Sequence, residues 1–142
     1  MDQLQNINTT DLKDAIRLGC RTMQNVFNAD DDQVPFMGSC VWPTPMFGFS
    51  AHHSESHIPG RHLNALLNAA DAAGIEVAES AIENHRRAAF LSYSGALPLA
   101  LNRAAPGPGK LVNFCPHNLR EGFHALYALA KYRDDAHARD LT

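Results

Sequence analysis

Apolar residues recur at helical spacing in four stretches of this chain and lose their period in two long intervals. Leu12, Ile16, Cys20, Met23 and Phe27 fall on one helical face behind Thr9-Thr10-Asp11. That pattern predicts a capped amphipathic helix of about five turns, ending at Asn28 and the acidic run Asp30-Asp31-Asp32. A second stripe, Leu63, Leu66, Leu67, Ala70 and Ala73, follows Pro59, a residue suited to the first helical turn because its missing N–H has no partner to lose there. Gly74 closes that helix as a left-handed C-terminal residue. A third stripe then places Val77, Ala78, Ala81, Ile82, Ala88 and Ala89 inward, with Glu79, Glu83 and Arg87 outward at four-residue steps. So short a connection predicts an antiparallel αα-hairpin. Pro116 opens a fourth helix with the stripe Leu119, Phe123, Leu126 and Ala130, and Tyr132-Arg-Asp-Asp135 breaks it. Ala136, Ala138 and Leu141 read as the first turns of a further helix.

Between these stretches, Pro35, Gly38, Pro43, Pro45 and Gly48 interrupt an aromatic segment containing Phe36, Trp42, Phe47 and Phe49. A second interval runs from Tyr93-Ser-Gly-Ala-Leu-Pro98 through Pro106-Gly-Pro-Gly109 to a short extended segment, Lys110–Phe114. The expected fold is all-α: antiparallel helical hairpins in a single helical domain over residues 1–142, incomplete at its C-terminus. Alternate helices running parallel would bring both long loops, 28–58 and 94–116, to one face with the helix starts at Pro59 and Pro116.

Composition narrows the function classes. With 142 residues, 45% hydrophobic and 19% charged, the chain has the means to bury a core and is not expected to be disordered. A formal charge of −3 and a pI near 6.2 leave no basic field for phosphates, so no nucleic-acid partner is expected. No apolar run reaches the roughly 18 residues of a membrane span, and the start lacks a signal-peptide pattern. The expected address is cytoplasmic as written, or extracytoplasmic if the start is misassigned. Cys20, Cys40 and Cys115 show no C-x-x-C spacing, which predicts reduced thiols rather than a disulfide framework or zinc knuckle. Prolines alternate with Gly107 and Gly109 and remove the N–H groups a phosphate loop needs, which disfavours nucleotide chemistry.

Candidate chemistry concentrates in Gly48–Ala65, which holds four of the eight histidines together with Glu55 and Arg61. His53, Glu55 and His57 are the candidates for proton transfer. No cofactor is expected, and a divalent metal held by His52, His53, Glu55 and His57 is the lesser alternative, since the alternate positions 53, 55 and 57 share a face only on a strand. Arg61, His62 and Asn64, at the start of their helix, are candidates for substrate binding, with Arg61 able to fork onto a carboxylate. A second group, Asn113, His117, Asn118, Arg120 and Glu121, stands at the next helix start, and Trp42 and Phe47 offer flat faces to a sugar ring. Each has a plainer reading: solvated loop residues, helix caps, or aromatic plugs between helix ends. His85, beside Arg86 and Arg87, reads as surface.

His117-Asn-Leu-Arg-Glu-Gly-Phe-His-Ala-Leu-Tyr-Ala-Leu129, followed by Tyr132-Arg-Asp-Asp135, resembles the helical hairpins of (α/α)-toroid carbohydrate-active enzymes, the glycoside hydrolases and polysaccharide lyases. Pro59-Gly-Arg-His-Leu-Asn-Ala-Leu-Leu67 is similar in kind. The resemblance implies an N-terminal portion of an enzyme that cleaves glycosidic linkages, by hydrolysis or by β-elimination next to a uronate, with a carbohydrate as partner. It implies about twelve helices, against four and the start of a fifth here. The competing expectation is a non-enzymatic helical bundle that binds a partner or ligand through its aromatic and histidine loop, and a third is a metal-dependent hydrolase. Oligomeric state is left open.

Overall fold

The computed structural model describes residues 11–40, 43–44 and 46–142. The first helix, α1 (Leu12–Met23), starts where its polar signal predicts: Asp11 Oδ1 accepts from the N–H groups of Lys13 at 2.7 Å and Asp14 at 3.4 Å. It is shorter than its stripe suggests. Phe27 leaves the helix and joins β1 (Phe27–Asn28), which pairs antiparallel with β2 (Val34–Pro35). The connecting turn puts Asp32 and Gln33 at positive φ, 47° and 61°. A second ribbon pairs β3 (Gly38–Cys40) with β4 (Met46–Gly48).

Helix α2 (His57–Ala73) begins two residues before Pro59, and Gly74 ends it at φ 61° with its N–H on the Ala69 and Ala70 carbonyls. Helix α3 (Glu79–Tyr93) packs back on α2 across residues 74–78. A third ribbon pairs β5 (Leu101–Arg103) with β6 (Leu111–Phe114), with an irregular step at Asn102/Arg103. Helix α4 (Asn118–Arg133) ends on Asp134 in the left-handed region, and α5 (Ala136–Asp140) follows, with Asp135 Oδ1 accepting from the Ala138 N–H at 3.0 Å.

The all-α expectation, and with it the placement in an (α/α)-toroid, does not hold: the fold is mixed, with five helices and three two-stranded antiparallel ribbons among the described residues. The reason lies in the two long intervals. Their Pro and Gly residues stop helices, and short ladders pair part of the backbone where the loops cross the protein. Strands of two to four residues are too short to display a period-two pattern. No described helix is long and apolar enough to cross a membrane.

Leu63, Leu66 and Leu67 of α2, Ile82 of α3, and Leu126 and Leu129 of α4 form the centre of the core, with alanines between them. Cys20 is the buried residue of α1, while Leu12 is 74% exposed, so that helix lies at the margin. The stripe expected on α4 is also rotated: Leu119 and Phe123 are exposed, and Asn118, Glu121, Gly122, Ala125, Leu126, Ala128 and Leu129 are buried. Small residues win that face because α2 comes close at Glu121 and Tyr93, at the end of α3, comes close at Gly122. A Cβ on Gly60 would stand 1.9 Å from the Glu121 carbonyl oxygen, and one on Gly122 would stand 2.3 Å from the Tyr93 hydroxyl. This crossing holds the N-terminal turns of α2 and α4 side by side.

Candidate functional site

The segment leading into α2 is held from beneath by β5. Asn102 Oδ1 accepts from the N–H groups of Glu55 at 3.1 Å and Ser56 at 3.2 Å, and its Nδ2 donates to Ser56 Oγ at 2.7 Å. Next to it, Arg103 is clamped between two carboxylates: Nε donates to Glu55 Oε1 at 2.6 Å, and Nη1 and Nη2 donate to Asp31 at 3.0 and 2.8 Å. All three side chains are buried. Burial pushes the Glu55 carboxyl up, and the Arg103 bond and charge oppose it. Gly107, at φ 85°, donates its N–H to Asp31 Oδ1 at 2.8 Å, which ties the Pro-Gly loop to the same group. Asn113 Nδ2 donates to the Ala51 carbonyl at 3.0 Å, and Asn118 Nδ2 donates to that of His52 at 2.5 Å.

On this base three imidazoles meet. His53, in the turn before α2, His57, at the start of α2, and His117, at the start of α4, place one ring nitrogen each within 4.8 Å of one another. His53 Nε2 and His117 Nε2 are 3.1 Å apart, with the rings stacked, and the His57 ring stands edge-on to both. Burial lowers the pKa of His57, and the nearby Glu121 works against that; His53 is lowered by burial and by the adjacent His117 and His52.

Beside the imidazoles an open groove of about 640 Å³ is lined by Arg61, His62, Asn64, Arg120, Glu121 and His124. Glu121 is buried, and its Oε1 accepts from Arg61 Nη2 at 3.2 Å and from Arg120 Nη2 and Nε at 2.6 and 3.1 Å. The two arginine side chains remain 56% and 63% exposed. Burial alone would raise the Glu121 carboxyl; the Arg120 bond and the charges of Arg61, His57 and Arg120 hold it below the ordinary carboxylate range. His124 Nδ1 lies 3.5 Å from Glu121 Oε2. Two cations share one anion, so the groove keeps a net positive charge, and most of the guanidinium donors remain uncommitted among the described residues.

The residues picked from the sequence therefore separate. His53, His57 and His117 come together, as do Arg61, His62, Asn64, Arg120 and Glu121. Glu55 does not join the histidines: it is buried on Arg103, so the set His52, His53, Glu55 and His57 is not a cluster, and His52 is exposed. Asn118 is buried under the loop rather than in the groove. Phe47 is exposed and stacked on Phe36 with ring centroids 5.4 Å apart; Trp42 lies outside the described residues. His124, four residues after Arg120, was already a candidate to line a cleft, whereas Asp31, Asn102 and Arg103 were not singled out. A signal for two of them was present, since Asn102-Arg103 is a polar pair directly after the apolar Leu97–Leu101 segment. Cys20 and Cys115 are free thiols.

His85, read as surface, is fully buried: its ring packs on Phe27 and His62, and its Nε2–H donates to the Met23 carbonyl at 3.0 Å. Burial, with a smaller effect from His62, lowers its pKa from 6.5 to about 3, and burial lowers that of His62 to about 4. Both histidines stay neutral in the folded protein while the unfolded chain takes up protons below pH 6.5. Stability is thus intact above that value and falls as pH drops toward the folded pKa values, by at most about 1.4 kcal/mol per pH unit for each histidine. Urea midpoints at pH 7 and pH 5 are expected to fall further in the parent than in His85→Met; equal falls would contradict burial of a neutral ring.

No family model matches this sequence, and neither the curated proteins nor the solved structures give a match.

Proposed function

We propose that the chain forms part of an enzyme that cleaves acidic carbohydrate by β-elimination next to a uronate. The observation that carries this reading is the pair of exposed guanidinium groups, Arg61 and Arg120, sharing a single Glu121 oxygen at the groove. A planar carboxylate entering there finds forked donors and a net positive charge. The sugar class draws on the resemblance of 59–67 and 117–129 to carbohydrate-active enzymes, and elimination draws on the groove itself. Hydrolysis by paired carboxylates needs one to hold a proton. Glu121 is kept ionised, and Glu55 is buried on Arg103 away from the histidines, so neither suits that role.

In the proposed step the arginines neutralise the uronate carboxylate, which acidifies the adjacent C5–H. His124, with Nδ1 beside Glu121, takes that proton on its other nitrogen. The C5–H electrons form a C4=C5 double bond as the C4–O bond breaks, and the imidazolium returns the proton to the departing oxygen.

The test is incubation with a panel of oligouronides, following ultraviolet absorbance of the unsaturated product. The expected result is product formation, with KM raised about 10–100-fold in Arg61→Ala, one or two charge-assisted hydrogen bonds being lost. In His124→Ala, kcat should fall by about 10²–10⁴ with little change in KM. New reducing ends without unsaturation would overturn the elimination reading. Binding without cleavage of any uronide would instead favour a carbohydrate-binding role.

A further inference from the structure

We infer that His53, His57 and His117 form a binding site for a divalent transition-metal ion of the zinc type, distinct from the carboxylate-binding groove and independent of the sugar reading. Three features of the imidazole cluster carry this.

The first is spacing. Two tetrahedral zinc ligands at about 2.0–2.1 Å from the metal stand about 3.3 Å apart. His53 Nε2 and His117 Nε2 are already 3.1 Å apart, and the third nitrogen lies within 4.8 Å, a side-chain adjustment away.

The second is the outer set of hydrogen bonds. His53 Nδ1 is 2.8 Å from Ser50 Oγ, and His117 Nδ1 is 3.1 Å from Cys115 Sγ. Donation from His53 Nδ1–H to Ser50 Oγ leaves the His53 Nε2 lone pair facing His117 Nε2, where a cation can bridge the two nitrogens. Metal-bound histidines are oriented by this kind of outer contact. His57 adds a buried Nδ1 with no hydrogen-bond partner.

The third is rigidity. His57 and His117 open α2 and α4, which the Gly60–Glu121 contact locks together, and the His53 loop is pinned by Asn102, Asn113 and Asn118. Three fixed nitrogen ligands and an exposed fourth side describe an open rather than a closed site. The neighbourhood also contains opposing charge. The two positive helix ends, and Arg61 near His57, disfavour a cation, each helix end by up to about fivefold. Three imidazole ligands supply many orders of magnitude more, and Glu121 lies close to His57. The same positive surroundings favour an anion, such as hydroxide or a carboxylate, in the fourth position.

The experiment is titration of the chelator-stripped protein with Co²⁺ followed by visible absorbance, then competition with Zn²⁺. The expected result is one equivalent bound with the intense spectrum of tetrahedral cobalt, displaced by zinc. His117→Ala, a surface change that leaves the core intact, is expected to weaken binding by more than about 100-fold; Ser50→Ala, which removes the hydrogen bond that orients His53, by about 10–100-fold. His52→Ala is expected to leave the affinity unchanged. Absence of a tetrahedral spectrum, or affinity that falls with His52→Ala as much as with His117→Ala, would overturn the proposal. Neither result depends on any sugar, so failure here leaves the groove reading standing, and the converse also holds.

Discussion

Gly60→Ala is expected to destabilise the protein by about 3 kcal/mol or more and to separate the two helix starts that build the site. Helix propensity works in the opposite direction, favouring Ala over Gly by about 1 kcal/mol. Sterics decide the sign, because the new methyl would lie 1.9 Å from the Glu121 carbonyl oxygen and 2.6 Å from its carbon. These are backbone atoms of α4, so relief requires the helix to move rather than a side chain to turn. Overpacking costs roughly 1–3 kcal/mol where side chains can yield, and this contact belongs at or above the upper end. Gly19, in exposed α1, has nothing within 4 Å of the same position, and Gly19→Ala is expected to stabilise by up to about 1 kcal/mol. Thermal unfolding of the two variants checks this: a drop on the order of 10 °C for Gly60→Ala, against a rise of a few degrees for Gly19→Ala. Two small rises would mean that α2 and α4 are not in contact at Gly60.

The second large effect is expected at Arg103. Its guanidinium is 8% exposed and bonded to both Glu55 and Asp31, whose side chains are 0% and 5% exposed. Arg103→Met keeps an apolar stem but leaves two buried carboxylates without their cation, a loss of about 3–5 kcal/mol. Glu55→Gln retains an acceptor for Arg103 Nε and removes one charge, so it is expected to cost no more than about 1 kcal/mol. The pH dependence separates this from a packing defect. Without the arginine, burial raises the Glu55 carboxyl unopposed, and acidification neutralises it. The deficit of Arg103→Met relative to the parent is therefore expected to be greatest near neutral pH and to narrow as pH falls through the carboxylate range. A deficit that stays constant with pH would show that the buried charges are not its cause.

The parts of this protein legible in its sequence were those governed by neighbours along the chain. Asp11 caps α1, Gly74 ends α2 in the left-handed conformation, and the stripe Leu63, Leu66 and Leu67 faces the core, each following from local geometry. The parts that were not legible depend on which segments meet. His85 sits among charged residues in sequence, yet its ring is buried by Phe27 and His62, from elements far along the chain. Glu55 stands between two serines in a histidine-rich loop and looked chemical; Arg103, 48 residues on, makes it structural. The reverse holds for His117, which read as one residue of a separate group until a contact across 64 residues placed it on His53. Of the ribbons, only β6 was legible, as the extended Lys110–Phe114; the other strands were not, because a strand of two to four residues acquires its identity from its partner.

The α4 register shows the same limit within a single helix. Leu119 and Phe123 are the larger apolar residues, and pattern alone sends them inward. Close approach of α2 at Glu121, and of Tyr93 and Ala100 at Gly122, instead selects small residues on that face, and Glu121 is buried there because two arginines accompany it. The feature that makes the groove positive is thus a consequence of tight packing between two helix starts.

The central claim is that this groove recognises the carboxylate of an acidic sugar. The most direct measurement is titration of the isotopically labelled protein, at low salt, with an oligouronide and with its methyl ester, following amide and arginine side-chain resonances. The account predicts saturable shifts centred on Arg61, Asn64, Arg120 and His124 with the acid, at least about tenfold weaker binding of the ester, and loss of the response in Arg61→Ala. Equal binding of acid and ester, or shifts confined to residues away from α2 and α4, would contradict it.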